Sequence, residues 1–464
     1  MKAENKELYD LIQMAINRAK DRKTNILLSY VQEIDEINPL TFFTLGSLFK
    51  GTRFLWSEPS RNQYLVGLGH AYTISNDFSQ QRFWAVQYEW QRLVDNQISN
   101  IELKPSSGIG PILFGGFSFD PDKDKTDLWK NYQEAKMVVP SYMLTINKGK
   151  TFLTFNVLIH ANDRLEEVIK DMKEKEKIIF QRKTIQDNNE NIVINKENIN
   201  VESWLNSVAG VVSEIKQGYV NKVVLARELR LQMREKIEVA TVLERLLDEQ
   251  PKSYIFALEC EEDCFIGASP ELLVKKEKNE FKSMCLAGTI GRGKTPAEDE
   301  KLGNELLNDH KNLYEHALVV EMIKNAMEKG CEEVEIAKSP SLYDLKNVKH
   351  LHTPVKGLAK EGVTILDMVE RLHPTPALGG YPKEISMNII RKKEVLDRGW
   401  YAGPIGWLDS KCDGEFAVAI RSSLIKGNIV SLFAGGGIVE RSNPAQEYQE
   451  TEMKFKPMLS ALRG

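Results

Sequence analysis

Five short apolar runs, Asn221–Arg227, Tyr254–Leu258, Cys264–Ala268, Leu272–Lys276 and Phe281–Leu286, constrain this chain more than any other feature. Tight turns join adjacent runs, and helical segments stand between groups of runs. Strands connected in this way pair as antiparallel neighbours, so the expected class is α+β with antiparallel sheets and not a doubly wound βαβ fold. The N-terminal third reads alike. Leu8, Leu11, Ile12, Ala15 and Ile16 mark an amphipathic opening helix, followed by strand-like runs at Ile26–Val31, Phe54–Trp56 and Tyr64–Ile74. Phe83, Val86, Trp90 and Leu93 predict a second helix, and Gly110–Asp122 a buried strand ending in a Pro/Asp turn. Val138–Ile146 and Thr151–His160 alternate around Asn147-Lys148-Gly149-Lys150 as a β-hairpin. No clustered chemical motif occurs in this third.

A charged helix (DRLEEVIKDMKEKEK) then leads into Gln186–Asn200, the most linker-like stretch of the chain. It is expected to connect an N-terminal structural region of the same fold, residues 1–190, to a catalytic region, residues 200–464. With 42% hydrophobic and 28% charged residues, the composition is that of an ordinary globular protein. A net charge of −4 with scattered Lys and Arg offers no basic face for nucleic acid. Apolar runs such as Pro111–Phe119 fall far short of the roughly 20 residues that span a bilayer. The opening MKAENKELYD does not read as a signal peptide. The 5 cysteines lack CxxC spacing, so reduced thiols in a cytoplasmic protein are expected. Zinc is not expected either, since no HExxH motif occurs.

Candidate chemistry concentrates after residue 220. In Phe433–Lys454 a strand end runs into Gly435-Gly436-Gly437, and Asn443-Pro444 then opens a helix as N-cap and first-turn proline. Glu447, Glu450 and Lys454 share one helical face, at the edge of a stripe of Tyr448, Phe455, Leu459 and Leu462. Two carboxylates beside three glycines suit Mg²⁺ and an anion held by backbone N–H groups. A solvated Glu–Lys face on a terminal helix is an equal alternative. Within Asp309–Lys329, a helix stopped by Gly330, Glu315 falls on the stripe of Leu318, Val319, Met322 and Ala326. A core-facing carboxylate requires a metal, or a partner such as Lys311.

Other residues are ambiguous when taken singly. Lys222 alternates with Val224 and Ala226, and small apolar neighbours favour the neutral amine of a base. It also suits an edge strand as a gatekeeper lysine. Glu271 follows Ser269-Pro270 at a turn between strands, where it is either an exposed glutamate or a general acid. Gly288-Thr289 is either an ordinary loop or a backbone nest for a carboxylate. Arg421, ending the strand FAVAIR, either caps a buried carboxylate or grips an anion. Tyr401 and Gly403 could line the same cavity. His350 and His373 each read as satisfied core or surface histidines.

The motifs KVVLAR, GASPELL, LAGTIGRG, DHKNLYEH, LHPTPALGG, YAGPIGW, GEFAVAIRS and AGGGIVERSNPAQEYQETEMK occur in an order that resembles the chorismate-utilising enzymes. SYVQEI, RFLWSEPS and FGGFSFDP extend the resemblance to isochorismate synthases of the menaquinone type. The resemblance implies large antiparallel sheets packed together with helices on the outside. It further implies a Mg²⁺ site at Glu315, Glu447 and Glu450, with Lys222 as base and Glu271 as acid. Chorismate is then expected against Ala287, Gly288, Thr289, His350, Ala377, Leu378, Tyr401, Arg421, Gly435, Gly436, Gly437 and Lys454. Ammonia-using members carry glutamine where this chain has Lys222, and aromatic-forming members carry threonine where it has Ala377. Lysine with alanine implies water addition without pyruvate loss, and no glutaminase partner. A menaquinone pathway is expected, with a siderophore pathway as the alternative.

Overall fold

The computed structural model describes residues 2–77, 81–101, 108–180, 191–346 and 348–463. Its described strands form one hydrogen-bonded network of 21, antiparallel in every pairing except the short parallel one that sets Leu28 beside Ile98. This is the α+β class with antiparallel sheets and outer helices that the turn spacing and the resemblance imply. Each tight turn does what the sequence demands of it. Tyr254–Cys260 folds back on Asp263–Ser269, and Leu272–Glu277 on Glu280–Gly291. Ala135–Asn147 and Lys150–Ile159 meet across Lys148 and Gly149, whose φ values of 50° and 80° match the twist of a two-residue hairpin loop.

The N-terminal strands are woven into the C-terminal ones. Arg53–Ser57 pairs with Tyr254–Cys260, and Ile112–Phe117 pairs with Pro404–Asp409. Because side chains alternate along a strand, Phe54 and Trp56 enter one apolar core while Leu55 enters another. The first core also takes Phe114, Phe256, Trp407 and Phe416. The second lies under helices, through Ile12, Leu243 and Phe455. Segments before and after residue 190 thus share both cores.

The linker-like reading of Gln186–Asn200 needs correction. Val193–Asn198 is a strand, largely exposed, antiparallel to Lys222–Met233. A strand with solvent on its sides needs backbone partners and few apolar side chains, so its composition imitates a linker. Residues 186–190 of that stretch lie outside the described residues. No described helix is long and apolar enough to cross a membrane.

Candidate active site

Two neighbouring strands carry the floor of the site. Lys222–Met233 and Ile429–Ile438 run antiparallel, with Gly435 opposite Ala226, Gly436 opposite Leu225 and Gly437 opposite Val224. The triple glycine is therefore strand and not loop. Clearance explains it. A β-carbon at Gly437 would stand 2.9 Å from Lys222 Cε, and one at Gly435 would stand 3.3 Å from the Tyr401 hydroxyl. One at Gly436 would stand 3.1 Å from Glu447 Oε2. Gly435 and Gly437 line a cavity of about 260 Å³, whereas Gly436, expected against substrate, instead clears the C-terminal helix.

Every other residue of the site that the resemblance implies borders that cavity, whereas Gly403, expected beside Tyr401, does not. Lys222, Glu271, Glu315, Glu447 and Glu450 enter it from one strand, one turn and two helices. Ala287, Gly288, Thr289 and His350 line it from two paired strands, and Ala377, Leu378, Tyr401, Arg421 and Lys454 line it as well. The wall owes its shape to a bulge. Glu280–Gly291 loses register with Val348–Ala359 between Ala287 and Thr289, where Gly288 has φ 82°. Such a bulge bends the strand and re-aims its side chains. His350 Nδ1 lies 2.9 Å from Thr289 Oγ1 and 3.3 Å from the Gly288 carbonyl, which fixes the ring against the bulge. Burial, reinforced by Arg421 and Lys454, lowers the His350 pKa to about 3, so the imidazole is neutral. His373 stands apart from this cavity, buried, with Nε2 donating to the Phe119 carbonyl at 2.9 Å.

Glu271 is not an exposed turn residue. It is 6% exposed, and burial raises its pKa to about 7 against the opposing fields of Arg421, Lys222 and Lys454. Lys222 is buried beside it in the same cavity. Arg421 adopts φ 50°, a left-handed conformation that costs a non-glycine residue energy and that collects at functional sites. No hydrogen bond within the described residues holds its guanidinium, which is free to meet a ligand.

The carboxylates differ in environment. Asn443 caps the C-terminal helix, Pro444–Arg463, by accepting from Ala445 N at 3.0 Å. Glu447, one turn in, is buried, and burial followed by the charge of Glu450 raises its pKa. Ser442 Oγ donates to its Oε1 at 2.6 Å, but its Oε2 is buried without a partner. Glu450 pairs instead with Lys454 at 2.7 Å, and that ammonium lowers its pKa. Lys454 also donates to the Gly435 carbonyl at 2.7 Å, tying helix to strand. Glu315 corrects the expected stripe. The buried positions of His310–Gly330 are His316, Val319, Ile323, Ala326 and Met327, so Glu315 sits beside the core stripe, half-buried, at the cavity. Among the described residues no three acidic, histidine or cysteine groups are gathered at ligating spacing. Three carboxylates on one cavity and an orphaned Glu447 oxygen nonetheless match the hard donor set that Mg²⁺ takes.

Sequence reasoning missed two cations of the wall. Lys311 lines the cavity one turn before Glu315, and Arg398 lines it from the segment that leads into Tyr401. Lys311 was visible only as a possible partner for Glu315. An arginine amid the glycine and aromatic residues of DRGWYAG was the available signal for Arg398.

Comparison with known proteins gives this chain a ligand class. A family model described as chorismate binding enzyme matches residues 14–463. The chain belongs to the chorismate-binding enzyme family. It is 43% identical over 97% of its length to isochorismate synthase MenF of Bacillus subtilis, covering 96% of that protein. It is 32% identical to the salicylate biosynthesis isochorismate synthase of Pseudomonas aeruginosa, over 98% of this chain and 94% of the other. Among solved structures, the menaquinone-specific isochorismate synthase MenF of Escherichia coli superposes with TM-score 0.78 at 23% identity, covering 97% of this chain and 100% of that one. The DhbC structure from Bacillus anthracis, a putative 2,3-dihydroxybenzoate-specific isochorismate synthase, gives 0.72 at 28% identity over 91% and 99%. A chorismate-binding enzyme must hold a substrate with two carboxylates. The cavity of this member sets Arg421, Lys454 and Lys311 among acidic side chains.

Proposed function

We propose that the chain is an isochorismate synthase, converting chorismate reversibly to isochorismate in the cytoplasm as a step toward menaquinone. The observation that carries the reading is the pairing of Lys222 and Glu271, an amine and a carboxyl group buried on one cavity with opposite proton tasks. Lys222 takes a proton from the water that attacks ring carbon C2. Glu271, its pKa pushed up to about 7, keeps a protonated fraction at neutral pH, and that form gives its proton to the hydroxyl leaving C4. The ring double bonds shift between these carbons. One hydroxyl enters as another departs, and no co-reactant is consumed.

Glu315, Glu447 and Glu450 would hold Mg²⁺, which when bound neutralises the ring carboxylate and polarises it. Arg421 and Lys454 would take the second carboxylate, the guanidinium through its paired N–H donors. Neutral His350 and Tyr401 would orient the ring. Lys222 in place of glutamine supports water over ammonia as nucleophile, with no glutaminase subunit, and Ala377 in place of threonine supports retention of the enolpyruvyl group. The menaquinone assignment rests on near-full-length identity to a MenF protein. The five free cysteines suit the reducing cytoplasm.

Incubating the pure protein with chorismate and Mg²⁺ and separating the products tests the reading. Isochorismate is expected. Salicylate, anthranilate or unchanged chorismate between pH 6 and 9 would overturn it.

A further inference from the structure

Arg398 has no part in the chemistry above, yet it occupies the cavity wall with its donors already engaged. It is 4% exposed. Its Nε and Nη2 donate to Glu394 at 2.6 and 2.7 Å. Nη2 also reaches the Val224 carbonyl at 2.8 Å, and Nη1 the Leu378 carbonyl at 3.0 Å. Glu394 accepts in addition from Ala226 N at 2.6 Å. The Phe119 ring packs on the guanidinium, with its centroid 4.2 Å from Cζ.

These bonds fasten three segments distant in sequence. One is the strand bearing Lys222, held at Val224 and Ala226. The second is the stretch that sets Ala377 and Leu378 against the cavity, which also docks on that strand through Val224 N and the Gly379 carbonyl at 3.1 Å. The third is the segment 394–398 itself. Lys222 and Val224 both line the cavity, two residues apart on one strand face. A shift of the strand at Val224 is therefore a shift of the Lys222 amine.

A guanidinium has five N–H donors, and four of those on Arg398 are spent within the protein. That leaves too little for a two-pronged grip on a substrate carboxylate, in contrast to Arg421 on the same cavity. A buried ion pair is by itself weak evidence for stability. Here the pair instead uses its remaining capacity on backbone atoms of the catalytic strand and the Ala377–Leu378 wall. We propose that Arg398 and Glu394 form a positioning pair that holds the Lys222 strand in register with the Ala377–Leu378 wall, so that the base meets the attacking water at C2. The proposal rests on the isochorismate synthase reading.

Glu394 does not border the active cavity but a separate one of about 440 Å³, which Leu225, Ala226 and Arg227 of the same strand also line. Glu394→Gln keeps the shape while weakening the grip, and Arg398→Lys keeps the charge while losing the fork. Each variant is measured for turnover, for Mg²⁺-dependent chorismate binding by calorimetry, for its pH–rate profile and for its melting temperature. A positioning role predicts that kcat falls about 10²-fold, the cost of roughly 1 Å of misplacement, while chorismate Kd moves by less than about threefold. The pH–rate profile should shift in both variants, and Arg398→Lys should restore little. Weaker chorismate binding with kcat retained would make Arg398 a substrate anchor and overturn the proposal. A lower melting temperature with kcat, Kd and pH profile unchanged would make the pair merely structural and overturn it equally. Should Arg398→Lys not fold, Glu394→Gln decides alone. Failure of the parent protein to make isochorismate would instead defeat the reading on which the proposal rests.

Discussion

Glu271 is a carboxyl group placed where its charged form is costly, and this has consequences for both rate and stability. Deprotonation of the acid should make kcat/KM fall as pH rises through about 7, and Glu271→Gln should remove that limb together with about 10²–10⁴-fold of turnover. The stability effect runs in the unusual direction. With a folded pKa of about 7 against an ordinary 4.5, the folded state holds more protons in that interval, so this residue's contribution falls as pH rises from about 4.5 to about 7. Glu271→Gln should therefore melt above the parent at pH 8, by an advantage that disappears below about pH 4.5; a thermal-shift series against pH checks it. Lys222→Ala should lose about 10²–10⁴-fold in turnover while calorimetry still registers chorismate. Among the metal candidates, Glu447→Gln should shift the Mg²⁺ titration to higher concentration, because it removes one charge from the carboxylate whose second oxygen has no protein partner. An unmoved titration curve would take Glu447 out of the metal site. Sequence suggested these side chains, but not the burial that raises the Glu271 pKa. Glu271 sits at a turn, where glutamates are usually exposed, and only the surrounding strands bury it.

At the scale of elements, the glycine strand shows what a motif conceals. Three consecutive glycines read as a loop, because glycine frees the backbone. Here none of the three has positive φ, and what matters is the hydrogen in place of a methyl. Gly437→Ala should fold normally, since the obstacle it meets is the flexible end of Lys222, yet displace that amine and lower kcat by about 10²-fold. Gly436→Ala should instead press on Glu447 and weaken Mg²⁺ dependence with a smaller effect on saturated turnover. Circular dichroism paired with the two kinetic titrations distinguishes these outcomes. The helix around Glu315 was legible in its limits, Asp309 to Gly330, but its buried face was displaced by one position, because His316 and not Glu315 enters the core. His316 is accepted there because Nε2 lies 2.7 Å from Thr353 Oγ1 and Nδ1 lies 3.0 Å from the Ala287 carbonyl. Periodicity cannot anticipate partners from another strand. The left-handed backbone of Ala402 and Arg421, both on the cavity, also has no signature in residue type.

Across the whole molecule, tight turns announced antiparallel pairing, and that part of the fold was readable from local sequence. Which strands meet over long separations was not. Nothing in RFLWS or YIFALEC specifies that Arg53–Ser57 lies beside Tyr254–Cys260. The pairing follows from two cores that both halves complete. Residues 200–464 expressed alone should consequently be insoluble or unfolded, with the edges of Tyr254–Cys260 and Pro404–Asp409 left open to association. A soluble fragment with native circular dichroism would contradict this shared-core account.

The order of the chain adds a consequence for its biosynthesis. Lys222 emerges from a ribosome long before the helix carrying Glu447, Glu450 and Lys454, and the cavity needs all of them. A nascent or prematurely terminated product that stops short of that helix would have Lys222 but not Glu447, Glu450 or Lys454. Such truncated translation products should therefore be inert toward the metabolite, so that synthesis of this helix acts as the switch that turns the protein on.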